Sequence, residues 1–192
     1  MKTDLYSLLK ESASDHSHLC PRQVLGVRMG LAGLSSIGVK APVNDHTALV
    51  IIETGGCFAD GIRVATGATV GHRTLRVEDL GKIAATFTNL ITGTCVRLAP
   101  QHYVRTKALD YAADEHGHYF AQLKGYQVMP VEDLFTFQRV ELLIPASQII
   151  SHQNARAKCS ACGEEIIYER VLVVDYLVMC QTCAHGSYYL AK

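Results

Sequence analysis

Apolar and polar positions follow two different periods in the first half of the chain. One run of apolar residues recurs at helical spacing and predicts a helix over 23–37, whose glycines allow close packing against a neighbour. The run 47–53 is apolar and β-branched, which predicts a strand buried on both faces. A Gly-Gly turn follows, and small and apolar residues then predict a helix over 57–66 that begins at Cys57.

The remaining patterns are shorter and alternate between the same two kinds of element. Helices and strands are interspersed without a regular βαβ repeat, which favours an α+β fold with a mixed sheet. The polar stretch 151–157 is predicted to be a linker, so that residues 1–150 form a core domain and residues 151–192 a small second module. The shorter patterns predict helices over 5–11 and 101–116, an extended or looped segment over 14–21, and strands over 74–77, 83–89, 94–98 and 140–144.

Composition and charge exclude several classes of function. Apolar residues make up 48% of the chain and charged residues 19%, as is usual for globular domains. The 18 basic residues equal the 18 acidic ones, which gives no long-range attraction to nucleic acid or to an anionic membrane. The sequence shows neither a signal peptide's apolar segment of about 7 to 15 residues nor a membrane-spanning run of roughly 18. We therefore expect a cytoplasmic protein with no membrane or nucleic-acid partner.

The chain contains seven cysteines, and an odd number without an export signal favours metal binding or reactive thiols over disulfides. Each C-x-x-C pair near the end of the chain presents two thiolates on one side of a tight turn, and two such turns complete a tetrahedron around zinc. The alternatives are four unliganded thiols or two disulfides. Four thiolates leave no open position, so we predict a structural zinc. The two pairs, separated by 17 residues, are Cys159 with Cys162 and Cys180 with Cys183.

The segment between the two cysteine pairs is rich in β-branched residues. We predict a hairpin over 166–178 within a treble-clef or ribbon-like module. Such a module has too little core to fold alone, so zinc is expected to stabilise it by roughly 10 kcal/mol. Four basic side chains match four acidic ones between residues 156 and 192, which argues against phosphate binding. A structural or protein-docking role is therefore favoured.

A second group of metal-ligand residues lies near the start, in the sequence His16-Ser-His18-Leu-Cys20-Pro. In an extended segment these three side chains project to one face and can share a transition metal, with zinc favoured and iron, nickel or cobalt as alternatives. Cys57 strengthens this prediction because a helix N-terminus stabilises a thiolate, the form that binds metal. The alternative is a polar loop with a buried Cys20.

Four further residues have candidate roles. Asp60 lies one helical turn after Cys57, where a carboxylate can orient a metal ligand or carry a proton. The alternative for Asp60 is an acidic residue that the helix dipole favours. Lys82 and Arg28 are candidate contacts for an anion or substrate, or else face solvent. Cys95 lies in an apolar strand and is predicted to be a small core residue.

Several motifs, taken in order, resemble those of one known family: the E-subunit proteins of formylmethanofuran dehydrogenase and their stand-alone relatives. Their combination is far more specific than any single motif. The resemblance implies a dimeric α+β core domain with a mixed sheet, followed by a zinc-binding tail. The motifs are His16-x-His18-x-Cys20-Pro21, Gly26-x-Arg28-Met29, Glu53 with Cys57-x-x-Asp60-Gly61-Ile62, Thr66-Gly67-x-Thr69-x-Gly71, Gly81-Lys82 and the two C-x-x-C pairs.

The resemblance also implies a second metal or active site, built from the His-x-His-x-Cys segment and the Cys57 helix. Cys57, His18 and Asp60 are the residues that would carry any catalysis there. Family members are named for a molybdenum or tungsten enzyme system, so we expect an accessory metal-binding protein that associates with such an oxidoreductase. The alternative is an independent enzyme that uses the metal or the Cys57 thiolate. The sequence leaves open whether the protein is an enzyme.

The chain departs from the family pattern at two positions. Arg22 replaces a glycine that usually follows the Cys-Pro pair, and Ala68 stands where a cysteine usually precedes Thr69. A dithiol mechanism that pairs Cys57 with a thiol at position 68 is therefore impossible here. Either the site binds metal with fewer thiolates, or its activity has changed.

Overall fold

The chain divides into two compact units, Met1–Leu142 and Leu143–Lys192. None of the helices in the described ranges has the length and apolar character that crossing a bilayer requires. The predicted division into residues 1–150 and 151–192 stays a prediction. The computed structural model describes residues 4–14, 16, 18–43, 46–150, 156–167 and 170–190.

The described part of the first unit contains six helices and one five-stranded sheet. The helices are α1 (Leu5–Ser14), α2 (Pro21–Ser36), α3 (Cys57–Thr66), α4 (Val104–Tyr111), α5 (His118–Val128) and α6 (Val131–Leu134). The strands are β1 (Ala48–Ile52), β2 (Leu75–Val77), β3 (Ala85–Asn89), β4 (Cys95–Pro100) and β5 (Phe135–Arg139).

The sheet has the order β2-β1-β3-β4-β5 and is mixed, as the sequence predicts. β1 runs parallel to β2, with Val50 opposite Leu75, while the other neighbours are antiparallel. β1 lies inside the sheet, and four of its five residues are buried, which fits its apolar, β-branched sequence. Cys95, at the start of β4, is buried as predicted, and its Sγ lies 3.1 Å from Thr88 Oγ1. The α+β prediction is therefore confirmed.

Helices α2 and α3 pack backbone to backbone through glycines. A Cβ added at Gly26 would lie 2.4 Å from the carbonyl oxygen of Phe58, and one added at Gly61 would lie 2.4 Å from that of Gln23. Real Cβ atoms do not approach other atoms so closely, so only glycine permits this crossing. The predicted role of the α2 glycines in close packing is confirmed. The crossing also fixes the N-termini of both helices, which carry Cys20 and Cys57.

The predicted helix over 101–116 is wrong in its extent. α4 ends at Tyr111, and a helix that the sequence did not predict, α5, begins at His118. The two helices pack closely, since a Cβ added at Gly125 would lie 2.6 Å from the carbonyl oxygen of Ala108. This contact between distant turns, rather than a local repeat, determines where the helices lie.

The predicted strand over 140–144 is also wrong. The strand at this place is β5, whose residues pair with β4 from Pro100 opposite Phe135 to Val96 opposite Arg139. β5 is an edge strand of which only Phe135 is buried, so its apolar pattern is weak. In the apolar run that follows it, Leu143 is fully exposed.

The second unit contains short elements around its cysteines. The predicted hairpin over 166–178 is present but shorter: residues 172–174 pair with residues 177–179, whereas Ile166 pairs with Ala157. The last two residues of the predicted linker belong to β6, and residues 151–155 lie outside the described chain. The elements are α7 (Ala146–Ile150), β6 (Arg156–Lys158), β7 (Glu165–Ile167), β8 (Leu172–Val174), β9 (Leu177–Met179) and α8 (Gln181–His185).

Candidate functional site

The four predicted zinc ligands meet in the second unit. The Sγ atoms of Cys159, Cys162, Cys180 and Cys183 all lie within 4.8 Å of one another. The first pair follows β6 in a tight turn that Gly163 completes at φ 78°, where a glycine is favoured. The second pair lies at the start of α8, where Cys180 is the N-cap residue. The predicted four-cysteine cluster is confirmed.

The protonation of these thiols fits a site built for a cation. Backbone N–H groups, chiefly those of Cys162 and Cys180, lower the pKa of Cys159 to about 6. The neighbouring thiols of Cys180 and Cys162 raise the pKa of Cys183 to about 12. Four thiolates this close repel one another unless a cation lies between them, because a nearby negative charge favours the neutral thiol. Metal binding therefore displaces protons from the cluster.

Zinc fits the cluster by geometry as well. Zinc–sulfur bonds of about 2.3 Å in a tetrahedron place the sulfurs roughly 3.8 Å apart. The Sγ atoms of Cys162 and Cys180 are 4.0 Å apart. Backbone N–H groups also donate to two of the sulfurs, each at 3.4 Å: that of Cys180 to Cys159 and that of Cys183 to Cys180. Such donors are typical of thiolates in structural zinc sites.

Three of the residues predicted for the N-terminal site border one cavity in the first unit. His18, Cys20 and Cys57 line it together. Cys57 is the first residue of α3 and Cys20 is the N-cap residue of α2, so the helix crossing brings the two thiols together. Burial raises the pKa of the Cys57 thiol, and its hydrogen bond with Cys20 raises it further. The helix N-terminus alone therefore does not produce the thiolate that the sequence predicted.

His16 and Asp60 form a separate pair beside this cavity. His16 Nε2 lies 2.9 Å from Asp60 Oδ2, and His16 does not line the cavity. The contact agrees with the predicted orienting role of Asp60 and leaves Nδ1 of His16 for another partner. Over the described ranges, the tail cysteines form the only group of three or more possible ligands within 4.8 Å of one another. The second metal site thus stays a prediction.

The segment that carries these histidines is held by groups outside the cavity. The buried side chain of Gln23 accepts a hydrogen bond from the backbone N–H of Cys20 at 2.8 Å. Its amide nitrogen donates to the carbonyl oxygen of Ser12 in α1 at 2.6 Å. His16 is held by Asp60 at the other end. The described ligand residues of this segment are thus anchored at both ends.

The cavity has a volume of about 960 Å³, within the range of small-molecule sites. The described residues that line it include no carboxylate but four cations, Arg22, Lys82, Arg97 and Arg105. The buried Glu53 lies behind Arg97 and accepts two hydrogen bonds from its guanidinium, at 2.5 and 2.8 Å. Lys82, which the sequence indicates as a candidate anion contact, therefore lies at the cavity.

Arg28, the other candidate anion contact, has a different role. Its guanidinium donates to the backbone carbonyl oxygens of Tyr126, Gln127 and Met129, at 2.8, 2.8 and 2.7 Å. These carbonyls belong to the C-terminal end of α5, where backbone acceptors lack helical partners and a cation is favoured. This capping of α5 is a role that neither expectation for Arg28, substrate contact or solvent exposure, included.

Replacing Arg28 with methionine is expected to lower the free energy of unfolding by about 2 kcal/mol, because three carbonyls lose a charged donor. Urea denaturation followed by circular dichroism measures the change. The same substitution at Arg139, which is exposed on β5, is the matched control and should change stability by less than about 0.5 kcal/mol. Equal effects at the two positions would contradict the capping role.

Sequence analysis missed the cavity residues of α4 and α5. Arg105 lies in the first turn of α4, and Tyr119, Gln122 and Tyr126 lie on α5. No local motif marks them, and α5 itself was not predicted.

The two residues that depart from the family pattern lie in different surroundings. Arg22 lines the cavity, whereas Ala68 is fully buried in the core.

Comparison with known proteins identifies a family and a curated relative. The model of the family described as FmdE, molybdenum formylmethanofuran dehydrogenase operon, matches residues 16–136. A probable S-adenosyl-L-methionine-binding protein of Archaeoglobus fulgidus is 30% identical over 210 residues, which cover 98% of this chain and 55% of that protein. The chain thus spans about half the length of this curated relative.

A solved structure is similar in fold. It is that of an FmdE-like protein of the tungsten formylmethanofuran dehydrogenase type from Syntrophus aciditrophicus. The TM-score is 0.60 at 18% sequence identity, and the match covers 97% of this chain and 95% of that one. At this identity the likeness concerns the fold alone.

Proposed function

This chain belongs to the FmdE family, and on that premise we propose that it is a metal-binding accessory protein of a molybdenum or tungsten oxidoreductase. The observation that carries the proposal is the four-cysteine cluster, together with the thiols and histidine that border the cavity. The family's description names a formylmethanofuran dehydrogenase operon, which supports an association with such an enzyme. A homodimer and a cytoplasmic location belong to the same proposal.

The tail cluster, in this proposal, holds a structural zinc. Its four thiolates leave no position for water or substrate, so the ion acts on stability and not on chemistry. The second unit then serves as a brace or as a docking element for a partner protein. The surface of the unit supports docking, since Val173, Tyr176 and Leu177 are exposed.

The second metal, zinc or another transition ion, would be held by His18, Cys20 and Cys57. His16, oriented by Asp60, is the fourth candidate ligand. A metal ion with an open coordination position acts as a Lewis acid or activates a bound water. The cavity beside these residues supports such a site, because a ligand there reaches the same thiols.

Metal analysis of purified variants tests the two sites separately. Wild-type protein is expected to contain two equivalents of metal per chain by mass spectrometry of the digested protein. Cys57→Ala and His18→Ala should each retain only the tail metal, because the cavity site loses a ligand. Cys162→Ser should retain only the cavity metal.

The non-ligand Cys95 supplies the control for this experiment. Cys95→Ala removes a buried thiol outside both sites and should leave two equivalents bound. A wild-type protein with one equivalent, lost in Cys162→Ser and kept in Cys57→Ala, would remove the second metal site from the proposal.

The second candidate function is an independent enzyme that uses the metal or the Cys57 thiol, with His18 and Asp60 in support. The ligand-sized cavity favours it, since a carrier of metal alone needs no such space. The name of the Archaeoglobus relative adds S-adenosyl-L-methionine to the ligands to be tried. Turnover of a substrate that is lost in Cys57→Ala but kept in Cys162→Ser would identify the enzyme.

A further inference from the structure

We propose that the cavity of the first unit binds a small organic anion, a carboxylate or a phosphate, through Lys82, Arg105 and the phenol of Tyr126. The inference deepens the proposed function and rests on it, because it names the class of ligand that would reach His18, Cys20 and Cys57. The side-chain charge of the cavity and the helix starts that line it support an anion, and the phenol of Tyr126 adds a hydrogen-bond donor.

The charge of the cavity differs from that of the whole chain. Basic and acidic residues are balanced overall, at 18 each. The cavity walls nevertheless carry four basic side chains and, over the described ranges, no acidic one. Glu53 neutralises Arg97 from behind. Lys82, Arg105 and Arg22 form no ion pair within the part of the chain that the structure describes, so their charge is directed at solvent or at a ligand.

Residues at or near the starts of four helices line this cavity. Cys20 and Cys57 mark the starts of α2 and α3, Arg105 lies in the first turn of α4, and Tyr119 lies in the first turn of α5. The N-cap residues of α3, α4 and α5 provide no side-chain cap. The first N–H groups of a helix and its dipole attract anions, which adds to the attraction by the basic side chains of the cavity.

Tyr126 supplies a phenol group at the wall of the cavity. Its side chain is 99% buried, since only 1% of the residue is exposed, and it lines the cavity. Burial raises the pKa of Tyr126 to about 12, although the charge of Arg105 acts in the opposite direction. The phenol therefore stays protonated and can donate a hydrogen bond to an anionic oxygen. A bound anion would accept a hydrogen bond from this phenol.

These features select a compact anion with some apolar or hydroxylated body. The volume of about 960 Å³ exceeds what a bare inorganic ion fills. Pro21, Leu25 and Val104 supply apolar contact area beside the cations. Carboxylate and phosphate oxygens accept from Lys, Arg and Tyr in the same way, so the structure selects their shared chemistry.

The test measures binding of three matched probes to the full-length protein by saturation-transfer NMR: glycerate, glycerol 3-phosphate and glycerol. We expect at least one anionic probe to bind and the neutral glycerol not to bind. Whichever anion binds more tightly distinguishes a carboxylate from a phosphate ligand. Lys82→Gln and Arg105→Gln should each weaken that binding about tenfold, because each removes a charged donor.

Two further variants distinguish a specific anion site from nonspecific attraction by positive charge. Tyr126→Phe should weaken binding about fivefold with an unchanged melting temperature, because only the hydroxyl is lost. Lys10→Gln removes the same charge from an exposed position on α1 outside the cavity and should leave binding unchanged. The proposal is overturned if neither anion binds, if glycerol binds equally, or if Lys10→Gln weakens binding as much as Lys82→Gln does.

Metal analysis of the same samples separates this inference from the proposed function. Cys57→Ala lacks the proposed second metal but should still bind the anion within about threefold of wild type, because the cations remain. If wild-type protein contains only the tail metal and still binds the anion through Lys82 and Arg105, the second metal site fails and the anion site stands. Two bound metals without anion binding would give the reverse result.

Discussion

Replacing Cys159 with serine is expected to remove the tail metal and to unfold residues 156–190, while the first unit keeps its fold. Of the described apolar side chains in the second unit, only those of Cys159 and Ile166 are buried. Burial of a large apolar side chain contributes about 1.5–3 kcal/mol, which is far too little to order some thirty residues. The stability of this unit must therefore come from the metal, which supplies roughly 10 kcal/mol or more in small zinc modules.

Two-dimensional NMR and metal analysis check this expectation. The amide signals of residues 156–190 should collapse to the random-coil region in Cys159→Ser, and one equivalent of metal should be lost. Ser160→Ala changes an exposed neighbour in the same turn and should leave both the spectrum and the metal content unchanged. A Cys159→Ser protein that keeps dispersed signals in this range would show that the unit folds without metal.

Replacing Gly26 with alanine is expected to lower the free energy of unfolding by about 3 kcal/mol and the melting temperature by about 10 °C. The new Cβ would lie 2.4 Å from the carbonyl oxygen of Phe58 and 3.0 Å from the Cα of Gly61. Both are backbone atoms, so the clash can be relieved only by moving α2 away from α3. That movement opens the core under both helices and also separates Cys20 from Cys57.

Gly71→Ala is the matched control for this substitution. An added Cβ at Gly71 meets nothing within 4 Å, and its φ lies outside the left-handed region. Its stability should change by less than about 0.5 kcal/mol, as is usual for open surface positions. Chemical denaturation measures both variants. If Gly26→Ala and Gly71→Ala are equally stable, the close crossing of α2 and α3 is incorrect.

The sequence predicts the middle of the fold well for a physical reason. Between residues 23 and 98, long apolar runs with one clear period alternate with Gly-rich turns, and each predicted element is present within about two residues. α3 begins at Cys57 as predicted because Gly56, at φ 71°, ends the preceding turn. Local information is sufficient in this part of the chain.

The sequence-based predictions fail where tertiary contacts determine the structure. α5 packs through Gly125 against Ala108, a contact that no local pattern indicates. β5 is an edge strand with four exposed residues, so its pattern is weaker than that of the apolar run after it. Arg28 shows the same limit in chemical terms. A guanidinium can bind a substrate anion or the end of a helix, and only the fold shows that this one binds carbonyls about a hundred residues away.

The cysteines of the candidate sites could be predicted from the sequence, whereas the grouping of the cations and the phenol around the cavity could not. The two C-x-x-C pairs indicate their own geometry, because spacing within each pair constrains the thiols. The nearness of Cys20 and Cys57 follows from the motif order and the resemblance together. The cations and the phenol of the cavity come from α2, the turn before β3, β4, α4 and α5. Only the folded sheet and helices bring Lys82, Arg105 and Tyr126 to one space.

The hydrogen bonds that anchor the segment of His16, His18 and Cys20 affect the affinity that this segment can have for a ligand. Gln23 fixes the backbone at Cys20, and Asp60 fixes the ring of His16, before any ligand arrives. A free loop loses about 1–2 kcal/mol of conformational entropy per residue when a ligand orders it. Here much of that loss occurs during folding instead, so it opposes the stability of the protein rather than the affinity of the site. Gln23 and the Ser12 carbonyl, which lie outside the cavity, would thereby affect how strongly the proposed site at His18 and Cys20 binds a ligand.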